Sequence, residues 1–137
     1  MNKLNQDYYK KKKNDFYTIE ANIVRSLWED KHIKSFEKRL NKIILEIFEN
    51  SKNTLLENNI LISILFTGDK KVAELNSYYR KIHKPTNVLS FPSKEINNRN
   101  EIFLGDIVFS SQTITEEAKT DNKNLEDHLI HLFIHGV

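Results

Sequence analysis

The chain contains no cysteine. That excludes a disulfide framework and any thiolate metal site, so a transition metal would have to be held by His, Asp or Glu. Three glycines and two prolines punctuate 137 residues. No Gly-, Ser- or Pro-rich linker divides the chain, and no segment repeats. No apolar run approaches the roughly 18 residues that would cross a membrane. Residues 1–14 are basic, but no apolar stretch follows them, so they do not read as a secretory signal. Together these absences suit a cytoplasmic protein with no membrane partner.

What is present is ordinary for a folded domain. The length fits one domain with a single core. Hydrophobic residues make up 39% and charged residues 29%, as in a slightly polar globular protein. A net charge of +2 selects no class of partner. Lys10 to Lys13 form a basic run that would suit nucleic acid or a solvated tail. We expect residues 1–14 to be a basic, unstructured tail and residues 15–137 to be the single domain. Lys, Asn and Ile are frequent throughout, which reads as coding bias and discounts the charge further.

Periodicity supplies the elements. Tyr17–Val24 is β-prone. Ser35 is a fair helix N-cap, and Phe36, Leu40, Ile43, Ile44 and Ile47 then follow the spacing of one buried helical face. Residues 60–66 form an apolar, β-branched run that suits a strand covered on both faces. Gly68 ends it, and Asp69 is placed to cap a helix in which Val72, Leu75, Asn76 and Tyr79 share a face. Pro85 stops that helix. Residues 87–91 read as a short strand, 97–100 as a polar loop and 104–110 as a further strand. Ser111–Thr120 and residues 124–136 read as helices. Without a regular βαβ alternation, the pattern predicts an α+β fold, a small mixed sheet covered by helices.

Three clusters offer chemistry. His128, His131 and His135 lie at i, i+3 and i+7, roughly on one helical face. Neutral imidazole is a common zinc ligand, and two His one turn apart can share a metal; the alternative is polar positions on a half-exposed helix. No Glu follows the first His, so the general base of an H-E-x-x-H motif is absent. The second cluster is Tyr79-Arg80-Lys81-Ile82-His83-Lys84-Pro85-Thr86. Arg80, Lys81 and Lys84 put three cations into one helix-to-strand connection, where an Arg fork matches phosphate oxygens. A solvated basic loop is the plainer alternative. The third is Leu104-Gly105-Asp106, where Gly105 permits a tight backbone and Asp106 would cap or orient a neighbour.

Three blocks resemble the YbeY family of bacterial rRNA maturation factors. Glu74-Leu75-Asn76, Tyr79-Arg80 and the run from Lys84-Pro85-Thr86-Asn87 through Val88-Leu89-Ser90-Phe91-Pro92 are similar to its L-N-x-x-Y-R-x-x-D-x-P-T-D/N-V-L-S-F-P stretch. Leu104-Gly105-Asp106-Ile107-Val108 is similar to its L-G-D-I-V. His135-Gly136 looks like the start of its H-G-x-x-H-x-x-x-x-x-H motif. The resemblance runs from about Tyr17 onward. It implies a zincin-like, metal-dependent endoribonuclease that cuts single-stranded rRNA in 16S 3′-end maturation and ribosome quality control. The ribosome or its small subunit would be the partner, with no small-molecule cofactor. It also implies one zinc ion, with His135 as a ligand and His128 and His131 as plain helix residues. Arg80 would act on the RNA phosphate, with Lys81 and Lys84 beside it in RNA binding.

Two positions depart from the pattern. Lys81 stands where the family often has Gly, and His83 where it usually has Asp. The other zinc ligands are expected beyond Val137, so this chain is expected to bind zinc poorly and to be catalytically impaired. Leu129, Leu132, Phe133 and Ile134 are expected to lack part of their covering, at roughly 1.5–3 kcal/mol per side chain. Two rivals differ in class. A non-catalytic RNA- or ribosome-binding module would need Arg80 but no metal. A small-substrate metallohydrolase would use His128, His131 and His135 together.

Overall fold

A computed structural model describes the backbone of residues 6–13, 17–50, 59–98 and 101–136, and the side chains of residues 17–46, 59–98 and 101–135. Strands β1 (Gln6–Lys13), β2 (Tyr17–Val24), β3 (Asn59–Thr67), β4 (Val88–Pro92) and β5 (Glu101–Ser110) form one sheet in the order β1-β2-β3-β5-β4. Neighbours β2/β3 and β3/β5 are parallel, while β1/β2 and β4/β5 are antiparallel. Helices α1 (Asp30–Asn50), α2 (Asp69–Arg80), α3 (Ser111–Thr120) and α4 (Leu125–Gly136) cover it. This is the expected α+β fold with a mixed sheet.

The two faces of the sheet differ. Ile60, Ile62, Ile64 and Phe66 alternate into the main core, beneath α1, α3 and α4. Their neighbours Leu61, Ser63 and Leu65 are half-buried on the other face, where, among the described residues, α2 packs through Val72 over Leu89 and Val108. The expected strand covered on both faces is therefore covered fully on one. The period-2 geometry of a strand sends adjacent apolar residues to opposite sides, so a continuous apolar run does not by itself bury both.

Phe36 of α1 is fully buried at the centre of the core. Its ring meets Phe66, Phe109 and Phe133 edge-on at 5.8–5.9 Å, the arrangement favoured by ring quadrupoles. The first turn of α1 starts at Asp30, not after Ser35. Ile33 already lies in the core, so its burial extends the helix by nearly two turns N-terminally. Polar pairs dock α1 on α4: His32 Nδ1 lies 2.5 Å from Glu126 Oε1, and Arg39 Nη1 donates to Asp127 Oδ1 at 2.5 Å. Burial pushes the Glu126 carboxyl up, but the hydrogen bond and charge of His32 outweigh it and the net shift is down.

Residues 6–13 correct the expected tail: they pair with β2 as an edge strand. A lysine-rich sequence is what a sheet edge tolerates, because like charges discourage pairing with another chain. Residues 1–5 and 14, the side chain of Ile47, residues 99–100 of the expected polar loop, and Val137 lie outside the described residues. Leu129, Leu132 and Phe133 are buried in the core, whereas Ile134 is 52% exposed. The expected loss of covering thus does not apply to the first three.

Candidate nucleic-acid interface

Helix α2 positions the cationic cluster. Gly68, not Asp69, occupies its N-cap, without a side-chain cap. The Asp69 carboxylate instead accepts hydrogen bonds from Ser110 Oγ (2.5 Å) and Thr113 Oγ1 (2.6 Å), tying the start of α2 to that of α3. One face of α2 is buried through Val72 and Asn76. At its C-terminus Lys81 adopts φ 60°, ψ 27°, and the N–H groups of Lys81 and Ile82 donate to the carbonyls of Ser77 and Asn76.

That conformation accounts for glycine being common at this position, where this chain has Lys81 instead. The left-handed residue that ends a helix is usually glycine, because a Cβ there meets the backbone. Lys81 takes the glycine-like backbone nonetheless, so the turn is kept. Lys81→Val should therefore be less stable than the parent in urea unfolding, because a β-branched residue is a true outlier in that region, while Lys81→Gly should stay within about 1 kcal/mol of the parent. Equal stability of the Val variant would contradict this reading.

Side chains pin the turn beyond it. Buried Asn76 donates from Nδ2 to the Lys84 carbonyl at 2.9 Å. Ser77 Oγ and His83 Nδ1 lie 2.7 Å apart, so the His in the family's usual Asp position still has a polar partner on the helix. Arg80, Lys81 and Lys84 are all exposed on this held turn. Among the described residues none of the three pairs with a carboxylate. The held turn thus carries three exposed cations that no described carboxylate neutralises.

The turn continues into Asn87, whose Nδ2 donates to Glu117 of α3 at 3.0 and 3.3 Å. Glu117 Oε1 also lies 2.9 Å from Nε2 of His128 on α4. One carboxylate therefore joins the loop, α3 and α4. His128 is buried at 6% exposure, which replaces the half-exposed position read for it. Nothing in the sequence singled out Glu117, one of two adjacent acids on an amphipathic helix.

His131 and His135 are exposed, with ring centroids 4.4 Å apart. Partial desolvation, with the charges of His135, Lys123 and His128, holds the His131 imidazole below its ordinary range. His128 is turned to Glu117, and among the described residues no group of three His, Cys, Asp or Glu is placed to hold a metal ion. A catalytic zinc takes three protein ligands and one open position. The described donors do not meet that requirement. His135 and Arg80 lie on helices covering opposite faces of the sheet, and both helices touch the edge strand β4.

The family model described as Endoribonuclease YbeY matches residues 26–137. The Endoribonuclease YbeY of Bartonella quintana (strain Toulouse) is 35% identical over 124 residues, covering 88% of this chain and 75% of that protein. That of Allorhizobium ampelinum is 46% identical over 77 residues, covering 55% of this chain and 46% of that protein. In fold, the chain is similar to the solution structure of TM1509 from Thermotoga maritima, with a TM-score of 0.50 and 24% identity. That match covers 77% of this chain and 61% of the other. The chain belongs to the YbeY family.

Proposed function

We propose that this chain is a single-strand-selective endoribonuclease of the YbeY type. Its role would be rRNA processing, at the 3′ end of 16S rRNA, and ribosome quality control. The observation that carries the reading is the pinned turn of Arg80, Lys81 and Lys84, three exposed cations in a chain of this family. Arg80 would grip a phosphate through its planar fork, and Lys81 and Lys84 would neutralise its neighbours. A single strand fits because its backbone is free to follow such a turn, whereas an A-form duplex presents a fixed shape. The family resemblance implies one zinc ion, with His135 as the described residue offered to it. The partner proposed, from the family resemblance, is RNA on the ribosome; among the described residues, no helix is long and apolar enough to cross a membrane.

The test is binding and cleavage of one RNA sequence presented as a single strand and as a duplex. The expected result is tighter binding of the single strand, weakening steeply with added salt as phosphates exchange counterions for side chains. Binding without cleavage would favour an RNA-binding module over a nuclease. Equal affinity for both forms would contradict the proposed substrate.

A further inference from the structure

Beside the cationic turn, aromatic side chains are left in the open. Tyr78 and Tyr79 are 73% and 60% exposed. Their rings meet at 4.7 Å, and Tyr79 lies 5.0 Å from Phe91 of β4. Behind them runs a groove of about 430 Å³, walled by Leu75, Tyr79 and Phe91, with Leu65, Ser63 and Asp106 on the sheet face. Exposing this much aromatic surface forfeits burial energy, while the buried residues of α2 are Val72 and Asn76.

The charges around the groove favour one occupant. Cations stand at the end of α2, while the acidic residue Asp106 is part of the groove lining. A polyanion would therefore keep its backbone at the Arg80 end and direct its neutral, flat groups inward. Single-stranded RNA has that make-up, and a tyrosine with only two side-chain torsions offers a stiff stacking surface. We infer that the α2 face of the sheet is a base-stacking platform for single-stranded RNA, with Tyr79 as its principal stacking side chain. The inference rests on the RNA reading above and adds where the bases go.

The test measures fluorescence anisotropy of a labelled 2′-O-methyl oligonucleotide, which resists cleavage, and of an abasic strand of equal length. Stacking of one base is worth about 1–3 kcal/mol, so Tyr79→Ala should weaken binding of the base-bearing strand about 5- to 150-fold. Tyr79→Phe should keep the parent affinity. The abasic strand should bind parent and Tyr79→Ala alike. Thermal midpoints should coincide, because Tyr79 is mostly exposed. Unchanged affinity in Tyr79→Ala, with a loss in Arg80→Ala, would overturn the platform and leave the RNA reading standing. Equal losses in the Ala and Phe variants would also overturn it, assigning the effect to the hydroxyl. Failure of the parent chain to bind RNA at all would overturn both.

Discussion

Gly105→Ala should destabilise the fold by about 3 kcal/mol or more. Gly105 has φ +133°, a conformation that side-chain-bearing residues rarely adopt. It lies in β5 opposite Pro92 of β4, at the irregularity where Leu61 faces Phe103 but Ile62 faces Gly105. An added Cβ would stand 2.4 Å from the Phe91 carbonyl oxygen and 2.8 Å from Pro92 Cα. Both are backbone atoms of the paired strand, so relief requires moving β4 rather than a side chain. Gly68→Ala is the control. Its Cβ would meet Leu27 Cδ1 at 2.5 Å and Gln112 Oε1 at 2.7 Å, which are side-chain ends that can shift. Urea unfolding should rank the Gly105 variant well below the Gly68 variant. Similar midpoints would mean that the bulge is not strained as described. Because β4 carries Phe91, the Gly105 variant should also lose RNA affinity along with stability.

Arg80→Ala should weaken binding of single-stranded RNA about 10- to 150-fold, as expected from losing charge-assisted hydrogen bonds worth about 1.5–3 kcal/mol. Arg80→Lys should recover only part, since an ammonium keeps the charge but not the fork. The salt dependence should flatten by about one phosphate contact. Where Arg80 faces the scissile phosphate, cleavage should fall by about 10²–10³-fold, the usual cost of removing one charge-stabilising donor. Arg80 is exposed at the end of α2, so the variant should fold normally and its loss should be read as function. An Arg80→Ala chain with parental affinity would move RNA binding elsewhere.

The extent to which these features could be read beforehand varies with the physics behind them. The strand Tyr17–Val24 and helix Ser111–Thr120 emerged with their observed bounds, because alternation and helical spacing are local signals. The same spacing put Val72, Leu75, Asn76 and Tyr79 on one face of α2, but only Val72 and Asn76 of these are buried and Tyr79 is left largely exposed. The start of α1 was missed, since Ile33 is drawn into the helix by a core that forms at long range. The strand β1 was missed because its charges look like a tail until a partner strand is known. The cationic triad could be read as composition, but the device that holds it could not. It depends on Asn76 reaching the Lys84 carbonyl and on Lys81 tolerating a left-handed backbone. Glu117 was invisible for a related reason: its partners Asn87 and His128 come from distant segments. Helical spacing put all three histidines roughly on one face, and burial separated them, with His128 in the core and His131 and His135 outside.

The most direct test of RNA binding at the α2 turn is photo-crosslinking of a single-stranded RNA to the chain, followed by mapping of the modified residues. Crosslinks are expected at Tyr78, Tyr79 and Phe91, with neighbouring peptides spanning Arg80 to Lys84. Crosslinks confined to the other basic run, Lys10 to Lys13 on β1, would contradict RNA binding at this turn.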